Sequence, residues 1–277
     1  MTHLHIVSLS PRSGTTLLME LMTSSYDIDI YPEHEARIGE RPIGNGKVYL
    51  TKSPKDIVVI GPIVKKIKDI YAIIVLRDPR DSAVSVHNED PDNYYGTLAY
   101  WHNYLPFYEA CKNHPKILAI KYEDLVTNAD EVQQTISSHF KFLVEKDRFS
   151  NYLSHAKPKK ASLLALKGLR KIETSSIGNW KNHKARLKAE IIRFGSIGTD
   201  LIEHGYEING DWQNELENIE PDFGSQHHSV FSTKKFIQKK QRSQFLRILK
   251  VWFYHTPFYL SFLKTFRENK PVKRLHR

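Results

Sequence analysis

Ser10-Pro11-Arg12-Ser13-Gly14-Thr15-Thr16-Leu17-Leu18 is the stretch on which the reading of this chain turns. It follows a short apolar run from Leu4 to Leu9 and opens into Leu17, Leu18, Leu21 and Met22 at helical spacing, which predicts strand, tight loop, helix. Such a loop is a phosphate cradle. Gly14 lets the backbone approach an anion, the N–H groups of Ser13 to Thr16 point out of the helix N-terminus, and two hydroxyls with the Arg12 guanidinium can complete the coordination. The Walker A loop needs Lys directly after its last Gly. Here Thr15 and Thr16 follow Gly14 and the cation precedes it, which disfavours an ordinary ATPase or GTPase.

Outward from the loop, Val48-Tyr49-Leu50 is short and β-prone and delivers Thr51-Lys52-Ser53-Pro54 at its carboxyl end, the edge where open α/β sheets bind ligands. That predicts Lys52 near the loop. Residues 55–68 have helical apolar spacing despite Gly61-Pro62, and Ile70 to Leu76 is a continuous β-branched run expected of a strand buried on both faces. The run leads into Arg77-Asp78-Pro79-Arg80-Asp81-Ser82-Ala83-Val84-Ser85. Asp78 can cap a helix whose first turn holds Pro79, with Ser85 about two turns from Arg77, so the segment predicts a second anion site. Further helices are expected over 94–112, 129–142 and 185–204, and a strand over Ile117 to Lys121. The basic segment 146–176 is expected to be a mobile lid or acceptor loop. The predicted fold class is α/β, with a P-loop-like central parallel sheet flanked by helices and a basic, aromatic-rich C-terminal helical tail.

With 277 residues, 40% of them hydrophobic and 26% charged, the chain can bury a full core. Its one cysteine, Cys111, excludes an intrachain disulfide framework and a multi-cysteine metal site, which suits a reducing compartment. No export signal is evident at the N-terminus, so the expected location is cytoplasmic. The net charge of +10 is concentrated at one end: residues 234–277 hold eight Lys and five Arg against Glu268, a net of +12, which leaves 28 basic and 30 acidic side chains, −2, for the rest. Nucleic acid is not an expected partner.

The loop resembles the 5′-phosphosulfate loop of sulfotransferases that use 3′-phosphoadenosine 5′-phosphosulfate (PAPS), with Arg12 at the position of their loop cation. Arg77 and Ser85, eight residues apart, resemble the pair that holds the 3′-phosphate in that family. Tyr122-Glu123-Asp124-Leu125 is similar to a segment whose Tyr lies against the adenine, and Ile177-Gly178-Asn179-Trp180-Lys181 resembles the element that closes the cofactor site. Glu173-Thr174-Ser175 stands where the cytosolic steroid and phenol branch has Arg-Lys-Gly, which leaves the third 3′-phosphate contact unassigned, and the last helix ending at Gly205-Tyr206 resembles the bacterial, carbohydrate or tyrosylprotein-type branches. It covers residues 4 to about 207.

The resemblance implies transfer of a sulfuryl group from PAPS to a hydroxyl acceptor, a glycan or glycolipid foremost, without a metal. Arg12, Ser13, Gly14, Thr15, Thr16, Arg77, Ser85 and Tyr122 would bind PAPS; Arg12 and Lys52 would neutralise the sulfuryl and bridging oxygens. The count of 21 residues from the loop Arg to the tyrosylprotein branch's base lands on Glu33, with His34 and Glu35 as rivals. His87 and His102 are expected to be structural or acceptor-facing. Two other readings stay open: a nucleotide or sugar kinase with a degenerate P-loop, and a catalytically silent nucleotide-binding protein at a membrane.

The expected organisation is a catalytic domain over 1–209, a linker over 210–232 and a basic amphipathic extension over 233–277. Nine aromatics lie between Phe236 and Phe266, and the longest charge-free run, Val251 to Leu263, is too short and too broken for a membrane span. The extension is expected either to tether the chain peripherally to an anionic membrane face or to pack on the catalytic body.

Overall fold

The structure, a computed structural model, describes residues 1–33, 35–40, 46–87, 90–166, 168–224 and 233–256. Strand β1 (Thr2–Ser8) leads through the loop into α1 (Thr15–Ser25). Next come β2 (Val48–Lys52), a 3₁₀ turn at Pro54–Asp56 and α2 (Ile57–Lys66), then β3 (Ile70–Leu76) and the short α3 (Pro79–Ala83). A small hairpin of β4 (Val86–His87) and β5 (Asp90–Tyr94) precedes α4 (Leu98–Glu109) and β6 (Ile117–Lys121). Helices α5 (Tyr122–Thr127), α6 (Ala129–His139), α7 (Tyr152–His155) and α8 (Lys160–Leu166) follow. After a 3₁₀ turn at Asn179–His183 come α9 (Lys184–Phe194) and α10 (Gly198–Glu203), and finally α11 (Lys234–Arg242) and α12 (Gln244–Tyr254).

The central sheet has the order β2-β1-β3-β6, and every pairing in it is parallel, with Leu4 opposite Leu50, Ile6 opposite Ile73 and Val75 opposite Ile120. Both faces are covered, as a parallel sheet requires. Along β3 the side chains alternate: Ile70, Ala72, Ile74 and Leu76 join the core formed with α2, α4 and α12, whereas Ile73 and Val75 join the core formed with α1 and α6. This is the expected α/β fold with a P-loop-like sheet. Because all four strands run the same way, their carboxyl ends open on one edge and present the 10–14 loop, Lys52, Arg77 and Tyr122 there.

Three expectations are corrected. The predicted helix over 185–204 is two helices, because Gly195 adopts φ 104°, in the left-handed region, and ends α9. The predicted helix over 94–112 begins at Leu98, since Tyr94 belongs to β5 and Thr97 caps the helix by accepting from the Ala99 N–H. Part of the predicted mobile segment is fixed: Phe149 and Tyr152 are in the core, and α8 lies against α1 with Ser162 buried.

Within 210–224, Trp212 and Leu216 are buried in the core on the α2 face. Ile237 of α11 and Val251 of α12 are buried in the same core, and both helices pack on α2. Cys111 is buried beside Gly61, and burial pushes its thiol up to about 11, the behaviour of a packing group.

Candidate active site

The loop between β1 and α1 is braced from within. Ser8 Oγ and Ser13 Oγ donate to the Ser10 carbonyl (2.6 and 2.8 Å), and the Ser10 and Ser13 hydroxyls lie 2.8 Å apart. The buried Ser13 hydroxyl is thus committed to holding the loop's shape. Gly14, at φ 82°, is where the chain turns into α1, and the first helical bond runs from Leu18 N–H to the Gly14 carbonyl. The N–H groups of Thr15, Thr16 and Leu17 precede that bond and are free to meet an anion. The glycine is required twice over: its φ disfavours any side chain, and a Cβ there would sit 2.4 Å from Tyr122 Cδ2.

Three cations converge on this loop. Arg12 holds φ 64°, a left-handed conformation that is uncommon for a non-glycine residue. Its backbone carbonyl accepts from Arg77 Nη1 at 2.5 Å, while Arg77 Nη2 donates to the Ser176 carbonyl at 2.9 Å and its guanidinium lies 4.6 Å from the Tyr122 ring centroid. Burial, and then the charge of Arg77, hold the Arg12 guanidinium below its ordinary pKa, and among the described residues no carboxylate pairs with it. Arg77 is shared with the carboxylates of Glu123 and Asp81, whereas Arg12 beside it is a second cation at an electrostatic cost that an anion would relieve. Lys52, only 7% exposed, donates from Nζ to Thr16 Oγ1 at 2.9 Å. Burial lowers its pKa, opposed by Glu35 and Glu20.

Among the described residues of the predicted carboxylate and its rivals, Glu35, its side chain 44% exposed, is the one paired with this machinery, with Oε1 at 3.9 Å from Lys52 Nζ. Tyr95 feels the same carboxylate: burial and then Glu35 push its phenol upward, while Arg12 opposes them. Glu33 is exposed on the loop before it. His34 lies outside the described residues, as does the His87 side chain. The Glu35 loop is fixed at its base by Ala36 N–H donating to the Lys52 carbonyl at 3.1 Å and Ile38 N–H donating to Asp56 Oδ2 at 2.8 Å.

At the second predicted anion site, α3 ends at Ala83, so Ser85 lies beyond the helix and not two turns along it. The chain after β5 crosses there: a Cβ on Gly96 would fall 1.6 Å from the Ser82 carbonyl, and Tyr95 and Gly96 N–H groups donate to the Ser85 carbonyl. Ser85 Oγ donates to the Ser82 carbonyl at 2.9 Å. Arg77 Nε is a buried donor with no partner among the described residues. Ser176 closes the wall through its hydroxyl, 2.7 Å from the Tyr122 hydroxyl.

Sequence reasoning missed what holds this wall. Asp81 accepts from the Gly178 and Trp180 N–H groups (2.8 and 2.9 Å), and Arg80 bonds Asp78 and Glu207 while stacking on Trp180 and Trp212. The signal was present in Asp81, the only carboxylate that α3 can turn toward the Gly178 element. Glu123 accepts from the Asp78 N–H at 2.9 Å. Burial pushes its carboxyl from 4.5 up to about 7, against the help of that hydrogen bond and of Arg77. The folded chain therefore binds more protons than the unfolded one across that window, and stability should fall as pH rises from about 4.5 to 7. Glu123→Gln keeps an acceptor for Asp78 and should flatten the profile and raise the melting temperature above pH 7; a variant that melts lower than the parent at every pH would contradict this.

Among the described residues, no group of three or more His, Cys, Asp or Glu could hold a metal ion, and no helix is long and apolar enough to cross a membrane.

No family model matches the chain, and no curated protein matches it. Among solved structures it is similar to mouse sulfotransferase SULT7A1 complexed with PAP, at 18% identity and a TM-score of 0.47 over 73% of this chain and 89% of that one. It is also similar to the sulfotransferase domain from the curacin biosynthetic pathway, at 14% identity and a TM-score of 0.40 over 65% of this chain and 91% of that one. Both of these are sulfotransferases. At such distances the chemistry of this chain rests on its own residues.

Proposed function

We propose that the chain is a PAPS-dependent sulfotransferase whose acceptor is a hydroxyl, foremost on a glycan or glycolipid. The observation that carries this reading is the cluster of Arg12, Arg77 and Lys52 around a Gly14 loop that lacks the Walker lysine, with the Arg12 guanidinium uncompensated by any described carboxylate. In the transfer, the S–O bond to the 5′-phosphate oxygen breaks as the acceptor oxygen bonds sulfur; the leaving phosphate keeps the electron pair. Loop N–H groups and Arg12 would stabilise charge on the sulfuryl oxygens, and Lys52, held against Thr16, the charge on the bridging oxygen. Tyr122, with Arg77 over its ring and its Cδ2 edge close to Gly14, would flank the adenine, and Arg77 with Ser85 would take the 3′-phosphate.

The acceptor's proton must pass to a base. The count from Arg12 gives Glu33, whereas the contact with Lys52 favours Glu35, and we assign the role to Glu35. The kinase reading is not favoured, because the lysine that a P-loop sets on the β- and γ-phosphates is absent from this loop.

The test is a thermal-shift titration with adenosine 3′,5′-bisphosphate against ATP with magnesium, followed by labelled PAPS over a panel of glycans, glycolipids, phenols and peptides. Preferential stabilisation by ATP with magnesium would return the chain to the kinase class. Arg77→Ala should weaken adenosine 3′,5′-bisphosphate by a charge-assisted contact of about 1.5 to 3 kcal/mol, roughly tenfold to more than a hundredfold. Adenosine 5′-monophosphate should lose much less, and equal affinity of the parent for the two nucleotides would reject the 3′-phosphate site.

A further inference from the structure

The described part of the basic tail has two apolar faces, and one of them packs on the body. In α12, Ile248 and Val251 face the body, where Val251 is 1% exposed and packs against Gly39 and α2. The opposite face carries Phe245, Leu246, Leu249, Trp252 and Phe253, which are 41 to 69% exposed. At about 100° per residue these five fall within one arc of roughly 120°. They are five of the fifteen large apolar side chains exposed among the described residues, and no other stretch of nine residues holds more than two. A stripe of this density is a docking surface.

Charge decides the occupant. Residues 233–256 contain five Lys, two Arg and no acid. Lys240 and Arg247 turn inward to Asp56, at 2.8 and 3.9 Å, which leaves Lys234, Lys235, Lys239, Arg242 and Lys250 exposed beside the stripe. Since α11 and α12 both pack on α2, their exposed sides face away from the body. A second copy of this chain would bring the same cations together at the stripe, which is unfavourable in an interface. An anionic membrane supplies what both features need, acyl chains for Phe245, Leu249 and Trp252 and negative headgroups for the five cations.

We infer that α11 and α12 form a peripheral docking surface for anionic lipid, latched to the catalytic body by their inner faces and entering the headgroup region by the outer stripe. The surface is independent of the transfer reaction.

The experiment is sedimentation of the full chain with vesicles of phosphatidylcholine, with and without phosphatidylglycerol, at low and high salt. Binding is expected only with phosphatidylglycerol and should weaken as salt rises. The triple variant Phe245→Ser, Leu249→Ser, Trp252→Ser should lower the bound fraction at least about tenfold while keeping the parent's circular-dichroism melt, because these side chains are exposed. Lys235→Gln with Lys239→Gln and Arg242→Gln should remove most of the salt dependence. No binding by the parent at low salt, or binding that the triple variant leaves unchanged, overturns the proposal. So does a dimer of the parent that dissociates in the triple variant and does not bind vesicles, which would give the stripe to a second copy.

Discussion

Glu35→Gln should lower kcat by about 10²- to 10⁴-fold while changing the affinity for adenosine 3′,5′-bisphosphate little. The substitution preserves the shape of the side chain and its place near Lys52, but removes the group assigned to take the acceptor's proton. Donor recognition is assigned to the loop and to Arg77, on other strand ends, so binding and turnover should separate. Glu33→Gln is the matched comparison. Its carboxylate is exposed on the same loop without a described contact to Lys52 or Arg12, and turnover should stay within a few-fold of the parent. A large loss in Glu33→Gln with near-normal Glu35→Gln would move the role to Glu33. Near-normal turnover in both variants would remove the carboxylate base from this loop.

Asp56→Ala should cost about 3 to 5 kcal/mol of stability, because it leaves the buried Lys240 ammonium without its partner. Asp56 is fully buried and ties several elements together, with Arg247 Nη1 of α12 at 3.9 Å. It receives Lys240 Nζ of α11 at 2.8 Å and Ile38 N–H of the Glu35 loop at 2.8 Å, lies 3.5 Å from His5 Nε2 of β1, and starts α2. Burial works against the charged carboxylate, but the contact with His5 and the ammonium of Lys240 outweigh it and hold the carboxyl well below its ordinary value. A depressed folded value means that the stabilisation is complete above the ordinary pKa of 3.8 and drains away as pH falls below it. Acid unfolding of the parent should therefore be steeper below that pH than acid unfolding of Asp56→Asn.

The same carboxylate holds the Glu35 loop through the Ile38 N–H. Asp56→Asn keeps an acceptor for Ile38 and should retain more turnover than Asp56→Ala, with the loss in kcat and not in nucleotide affinity. A fall in melting temperature with kcat unchanged in both variants would reduce Asp56 to a packing role. Replacing the pair with apolar groups, Asp56→Leu with Lys240→Met, should recover part of the stability but not the hold on Ile38.

The sequence by itself determined the sheet edge on which the candidate site lies. Leu4 to Leu9, Val48 to Leu50, Ile70 to Leu76 and Ile117 to Lys121 are short apolar β-prone runs, each followed by a helix-starting or polar segment, and this alternation admits little besides a parallel sheet. Parallel strands share a carboxyl edge, so Gly14, Lys52, Arg77 and Tyr122 could be brought together without any knowledge of distances. Local chemistry suffices there, because each residue stands within a few positions of its own strand end.

Tertiary structure alone decided what lies far apart in sequence. The nearness of Glu35 to Lys52 depends on where a polar loop, tied by Ala36 and Ile38 to β2 and Asp56, turns its side chains, and no periodicity encodes that. Helix α3 stops short of Ser85 because Gly96 crosses at its end, 11 residues later in the chain. In the tail, composition could not separate packing from tethering, since a helix with apolar residues on both faces satisfies both readings. Burial shows the packing face, with Val251 against the body and Trp252, one residue on, 55% exposed. Asp56 and Lys240 are 184 residues apart, and a buried ion pair over such a span is set by the packing of α11 on α2, which the order of residues along the chain does not state.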